Sequence, residues 1–329
     1  MEKRDKSVDV FRGIAIIMVT LFHVARWSNV QEGDAFFFAL NGWVGVGLFF
    51  IISGYCMAMS FEGRPPDSRL AYVEYLTRRF LRIAPAYYIS IAFWVVVIVT
   101  TGMAYKPTGL KDILTHMTFT NNLFEDTMWS ISGVYWSIAV EFQAYAILPL
   151  LYLYKKKNWN LLIALAIVTL SLNYYSRSPV VHWSVLSYLS FFLFGCLIFK
   201  KKVDIKKLLS LRLVNFFMCI LVIMLLFYNG STIHDFKSII YEMLISVFLS
   251  LLMVHLSGKE IPGYCGVISF IGERSFSIYL YNYVFFILHN ENKSELMIVP
   301  YVIMVIIVGC LMHFVVEERT ERIRKRLFQ

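Results

Sequence analysis

The sequence predicts an all-α fold, a polytopic integral membrane bundle of about ten transmembrane helices with both termini cytoplasmic. Three observations predict it. Hydrophobic residues make up 58% of the 329-residue chain and charged residues only 16%, against about 45–50% and about 25% in soluble globular proteins. Apolar runs of about 20 residues, long enough to span a bilayer as helices, recur along the whole chain. The basic residues fall in short clusters between alternate runs, which is the positive-inside pattern. A net charge of +9 distributed in this way belongs to membrane topology, and no nucleic-acid partner is expected.

The first run, 9–27, follows the basic start MEKRDK. It contains Arg12 and lacks a small-residue cleavage site, so a retained span is expected rather than a signal peptide. Further spans are predicted at 36–59, 82–101, 131–153, 159–176, 183–199, 211–229, 237–256, 267–289 and 296–316. Residues 60–82 form a cytoplasmic, Arg-rich loop. Its Pro65-Pro66 pair is a turn or extended signal, and its later part, with Arg78, Arg79 and Arg82, reads as an interfacial helix. Residues 102–130 form an outer loop holding Asn121, Asn122, Glu125 and Asp126, and 317–329 a basic cytoplasmic tail. With the N-terminus inside, 25 of the 31 Lys and Arg lie on the cytoplasmic side, and this split sets the orientation. Residues 1–329 are thus expected to be one transmembrane domain with no appended soluble catalytic part. Five scattered Cys read as free thiols, and no His or Cys pair has metal-ligand spacing, so no metal is predicted.

Four features carry chemistry. Arg12 and His23 are eleven residues apart on one predicted helix. That spacing puts them on one face, about 16 Å apart along the axis. Arg12 as a headgroup anchor and His23 as a polar helix contact are the bland alternatives, and neither explains the shared face. Arg79 and Arg82, three apart, form a guanidinium pair suited to phosphate oxygens; anionic lipid is the plainer partner. Glu141 sits inside an apolar span with Tyr145 on its own face and Gln143 on another. Buried carboxylates in membranes mark functional sites by default, against the alternative of a hydrogen bond to a neighbouring helix. Finally, Gly42, Gly45, Gly47 and Ser53-Gly54 enrich the second span in small residues, which favours close helix packing.

Taken together, these stretches resemble the membrane acyltransferase 3 family, whose members acylate sugars of bacterial surface polysaccharides and other acceptors. DVFRGIAIIMVTLFH is similar to the family's first-helix motif and GVGLFFIISGY to its second. RRFLRIAP resembles its Arg-x-x-Arg motif, WSIAVEFQAY its Trp-Ser-x-x-x-Glu-x-Gln segment, and SFSIYLYNYVFF its late Ser-Tyr-Ser-x-Tyr helix. The five occur in the family's order across most of the chain. Three positions depart from the pattern. Gly47 stands where Asp is frequent, Asn282 where His is common, and EERTER lacks the usual Glu-x-Pro.

The resemblance implies a stand-alone member, without an SGNH hydrolase-like domain, in the bacterial cytoplasmic (inner) membrane. It implies O-acyl transfer from cytosolic acyl-CoA, with acetyl-CoA the simplest donor, to a sugar hydroxyl of a surface glycan or a lipid-linked sugar. His23 and Glu141 are the implied catalytic pair, base and charge-stabilising carboxylate. Arg12, Arg79 and Arg82 would hold the donor's phosphates, its pantetheine arm running up beside the first helix. Trp136, Ser137, Gln143, Tyr145 and Asn282 would contact substrate, with Trp129 and Trp136 available to stack on sugar faces. Membrane lipids are the other expected partner. A transporter or flippase using an intramembrane His/Glu relay is the alternative reading, and a receptor without chemistry a second.

Overall fold

A computed structural model describes residues 5–102, 106–154, 159–176, 178–227, 236–260, 263–288 and 294–327. Of the basic residues that set the orientation, Lys3, Arg4, Lys155 to Lys157, Arg177 and Lys293 lie outside them. The described residues are helical and loop, with no strand among them. In order they form α1 (Lys6–Trp27), a 3₁₀ segment (Phe37–Val44), α2 (Gly45–Gly63), α3 (Arg69–Thr101), α4 (Leu110–Met117) and a 3₁₀ turn (Asn121–Leu123). Next come α5 (Tyr135–Tyr154), α6 (Trp159–Tyr175), α7 (Pro179–His182), α8 (Val185–Lys200), α9 (Lys202–Leu208), α10 (Leu211–Phe227) and α11 (Phe236–Leu256). The chain ends with α12 (Gly266–Glu273), α13 (Ser275–Leu280), α14 (Ile298–Met312), a π-helical turn (His313–Glu317) and α15 (Glu318–Leu327).

Local chemistry sets the main boundaries. Asp5 starts α1 by accepting the Ser7 backbone N–H at 3.0 Å, and Ser68 starts α3 by accepting that of Ala71 at 3.1 Å. Gly102, with φ +65°, closes α3 in the left-handed conformation that glycine adopts without strain.

Six helices among the described residues are long and apolar enough to cross a membrane, or seven if the bent pair α9–α10 counts as one span. The expected spans at 131–153, 159–176 and 267–289 are not among the six. The last of these is not one helix: it divides into α12, α13 and a 3₁₀ turn (Val284–Leu288), with Arg274 and residues 281–283 at the breaks. The loop at 60–82 is shorter than expected. Arg78, Arg79 and Arg82 lie on the same 33-residue helix as the span that follows them. The expected outer loop, 102–130, contains α4 and its own 3₁₀ turn.

The chain divides into two compact units. The first comprises 1–59, 191–276 and 289–307; the second comprises 60–190, 277–288 and 308–329. In the first, α1 packs against the Phe37–Val44 segment, α11 and α12. Glycines set these contacts. A Cβ on Gly42 would lie 2.0 Å from the Met18 carbonyl oxygen, one on Gly45 2.5 Å from that of Ala15, and one on Gly272 1.7 Å from that of Asp9. The crossing of α2 and α8 is built alike. A Cβ on Gly54 would lie 2.1 Å from the Phe192 carbonyl oxygen, and one on Gly195 2.1 Å from that of Ile51. The Cys196 thiol donates to the Gly54 carbonyl at 3.4 Å across the same contact. The small residues of the second span therefore do pack helices closely, as membrane interfaces require.

In the second unit α3 packs against α4, α5 and α15, and α5 against the Asn121–Leu123 turn. All five cysteines are free; Cys196 is buried, while Cys219 is exposed. Val299, Ile303, Ile307 and Leu311 repeat every four residues along α14 and are all exposed, an apolar stripe suited to lipid.

Candidate active site

Arg12 and His23 both belong to the unbroken α1, in the first unit. Eleven helical steps leave their side chains about 20° apart around the axis and about 16 Å apart along it. Both are half-buried. Met18, Phe22, Ala15 and Val19 meet Gly42 and Gly45 on one flank of this face, and Asp9 and Gly13 meet α12 on the other. The Arg12–His23 face thus runs between two backbone-tight helix contacts. The Arg12 guanidinium reaches α2, donating to the Cys56 sulfur at 3.7 Å.

The remaining predicted residues belong to the second unit. Here Tyr145 is the hinge of the arrangement. Its hydroxyl donates to Glu141 Oε1 at 2.6 Å, one turn earlier on α5. Its ring lies under the Arg79 guanidinium of α3, 5.0 Å from the centroid, and the Tyr75 ring takes the same cation at 5.3 Å. The structure therefore brings a predicted phosphate-binding arginine and the predicted catalytic carboxylate onto one tyrosine. Arg82, one turn on from Arg79, is exposed. Tyr72 ties the same two helices by donating to the Ala146 carbonyl at 2.9 Å.

One turn before Glu141, the Ser137 hydroxyl meets that of Tyr279 at 2.5 Å beside the Val134 carbonyl, to which Tyr279 also donates at 3.0 Å. Asn282 is fully buried just beyond, where α13 has ended, and its N–H closes a turn on the Tyr279 carbonyl. The break in the expected 267–289 helix places both residues.

Gln143 and Trp136 have other work on the opposite side of α5. Gln143 Nε2 donates to the Phe119 carbonyl at 2.9 Å and to Asn122 Oδ1 at 2.8 Å. Asn122 Nδ2 in turn donates to the Trp183 carbonyl at 3.1 Å. The Trp136 ring is buried, edge-on to Trp183 at 4.3 Å and beside Tyr188 at 5.3 Å. This corrects the expectation that Trp136 offers its face to a sugar, because Trp183 and Tyr188 already cover it. Trp129, half-buried against Trp183 at 4.5 Å, keeps that possibility.

The segment held by Gln143 is strained. Phe119 and Ile131 are buried with φ of +55° and +59°, a conformation costly for side chains of their size. His116, on α4 in this segment, is fully buried with Nδ1 2.7 Å from the Asp112 carbonyl, and burial pushes its pKa down to about 4. At the surface nearby, Lys111 pairs with Asp126 at 2.5 Å and holds that carboxyl below its usual range.

Sequence reasoning missed Glu242, a buried acid in the second turn of α11. The signal was present: a carboxylate inside the apolar run 237–256, as conspicuous there as Glu141 in its own run. Among the described residues no group of three or more His, Cys, Asp or Glu is placed to hold a metal ion.

A family model described as an acyltransferase domain matches residues 5–315. The chain belongs to the membrane acyltransferase 3 family. With its apolar helices, this member of the family is a multi-pass membrane protein. It is 24% identical to the O-acetyltransferase OatA of Staphylococcus aureus strain NCTC 8325, over 90% of its own length and 53% of the relative's. It is 29% identical to the peptidoglycan O-acetyltransferase OatA of Listeria monocytogenes over 49% of its length, and 26% identical to the putative peptidoglycan O-acetyltransferase YrhL of Bacillus subtilis over 44%. The chain spans about half the length, or less, of these relatives. No solved structure matches. The transporter reading finds no support in the family or in these relatives.

Proposed function

We propose that this acyltransferase moves an acetyl group from cytosolic acetyl-CoA to a sugar hydroxyl of a surface glycan at the bacterial cytoplasmic membrane. The observation that carries the reading is the face of α1: a cation and an imidazole about 16 Å apart, on a helix unbroken from Lys6 to Trp27. An extended thioester carrier can lay its phosphates at one and its thioester at the other. The relatives' names, O-acetyltransferases of peptidoglycan in two of the three cases, support a glycan acceptor.

In this reading Arg12, Arg79 and Arg82 bind the donor's phosphates. His23 takes the proton of the attacking sugar hydroxyl as its oxygen adds to the thioester carbonyl. The carbon–sulfur bond breaks, the ester forms, and the proton passes to the departing thiolate as free coenzyme A. Glu141, aimed by Tyr145, supplies the negative charge that offsets the imidazolium. Trp129, Ser137 and Asn282 contact the acceptor, while Gln143 and Trp136 hold the outer segment that frames it.

Purified protein in liposomes, given acetyl-CoA and a glycan acceptor, tests the proposal. Thiol release dependent on acceptor is expected, with a loss of about 10²–10⁴-fold in His23→Ala. Full activity in a folded His23→Ala variant removes His23 from the mechanism. Absence of any acceptor-dependent release from acetyl-CoA overturns the donor assignment.

A further inference from the structure

The apolar helix α11 carries a polar line that the transfer chemistry has not used. Ser238, Glu242, Ser246 and Ser250 repeat every four residues and are all buried, Glu242 to 1% exposure. Such spacing sets them on one face. The Ser246 hydroxyl donates to the Val44 carbonyl at 3.3 Å and that of Ser250 to the Ser246 carbonyl at 2.7 Å, so these two serines are satisfied by backbone.

Glu242 is satisfied only in half. One carboxylate oxygen accepts the backbone N–H of Gly47, in the first turn of α2. The other, Oε2, is buried and has no hydrogen-bond partner among the described residues. The carboxylate also fills the space a side chain at 47 would need. A Cβ on Gly47 would stand 2.8 Å from both Cγ and Oε1 of Glu242, and 2.6 Å from the Phe191 ring. The position at which the family resemblance leads one to expect Asp is therefore occupied by a carboxylate that comes from another helix.

Its depth follows from the contacts of α1. Gly42 meets α1 at Met18 and Phe22, and Gly45 meets it at Ala15 and Val19. Three residues onward in the chain shift the contact back by three along α1, as antiparallel neighbours do. Gly47, two residues further, lies level with the stretch between Gly13 and Ile17. Glu242 is thus at a depth between Arg12 and His23.

We propose that Glu242 is a donor-binding residue. Its free Oε2 accepts an N–H or O–H from the amide- and hydroxyl-bearing arm that links a nucleotide to its thioester. The inference rests on the reading above that the donor extends from Arg12 to His23. A buried carboxylate oxygen without a partner is costly, and a hydrogen-bonding ligand at this depth is what would satisfy it.

Binding of acetyl-CoA to the full chain in detergent, with donor and acceptor KM from the thiol-release assay, tests this. In Glu242→Gln, donor Kd and KM are expected to rise about 10- to 100-fold, the effect of one charged hydrogen bond, with acceptor KM unchanged. Gly47→Asp alone is expected to disrupt the site by collision. The double variant Gly47→Asp/Glu242→Ala returns a carboxylate to the same volume from the other helix and should restore donor binding, which a merely structural carboxylate would not predict. If Glu242→Gln binds acetyl-CoA as tightly as the unaltered protein, the inference falls while the transfer reading stands. If the unaltered protein does not bind acetyl-CoA, both fall. If Glu242→Gln fails to fold, a double variant that folds yet binds acetyl-CoA no better than Glu242→Ala overturns it.

Discussion

The two units hold their candidate residues by different means. Around α1, position is set by backbone meeting backbone: Gly42, Gly45 and Gly272 let neighbouring helices approach carbonyls that no side chain could share. Around α5, position is set by side chains. Gln143, Asn122 and Trp183 form one hydrogen-bonded chain, Tyr145 joins Arg79 to Glu141, and a ring cluster seals Trp136. The contrast teaches that a membrane protein has two routes to precision. Without a hydrophobic drive between helices in lipid, close packing of small residues locks a helix pair. Directional polar contacts lock a site where loops and helix ends must be aligned. The α1 region should therefore be intolerant of volume, and the α5 region intolerant of lost hydrogen bonds.

Four substitutions can break or sharpen that contrast. The largest effect is expected from Gly54→Leu, whose side chain must displace the Phe192 backbone rather than a flexible side-chain end. Loss of the folded protein from detergent-solubilised membranes, read by size-exclusion chromatography, is the expected result; a well-behaved Leu variant would deny that backbone contact is what locks α2 on α8. Glu141→Gln should keep the fold and the Tyr145 contact but lose the charge, so transfer should drop by at least about 10²-fold while thermal stability holds. An active Gln variant would leave Glu141 a packing residue.

A smaller effect is expected from Gln143→Leu, which leaves the Phe119 carbonyl and Asn122 Oδ1 without their donor. A loss of about 1–3 kcal/mol is expected, confined to faster hydrogen exchange in 118–132. Uniform exchange across the chain would show that the chain of amides does not anchor the segment. The smallest is a pH effect at His116. Its folded pKa, about 4, lies below the ordinary value of 6.5, so the folded state prefers the neutral ring. The stability it lends is complete above pH 6.5 and is lost as pH falls toward 4, by no more than about 3 kcal/mol. Proteolysis of the segment 106–130 should quicken over that window in the unaltered protein and lose this slope in His116→Gln.

Much of this was legible in the residues. Arg12 and His23 needed only the helical repeat, and the glycines of the second span announced close packing because lipid leaves helices little else to pack with. Glu141 stood out as a charge in an apolar run. Glu242 stands out for the same reason, though no motif surrounds it. Trp136 shows the opposite limit: an aromatic beside a candidate acid reads as a sugar platform until Trp183, 47 residues later in the chain, is found lying on it.

Composition and charge placement by themselves determined the membrane class, helical spacing the shared face of α1, and five short motifs in order the family resemblance, because each depends on residues near one another in the chain. Only the tertiary structure decided that the run at 267–289 breaks to place Tyr279 and Asn282, that Tyr145 couples Arg79 to Glu141, and that the carboxylate beside residue 47 comes from α11. Those facts depend on which helices meet and at what height, and no local pattern of hydrophobicity encodes a partner some 200 residues away.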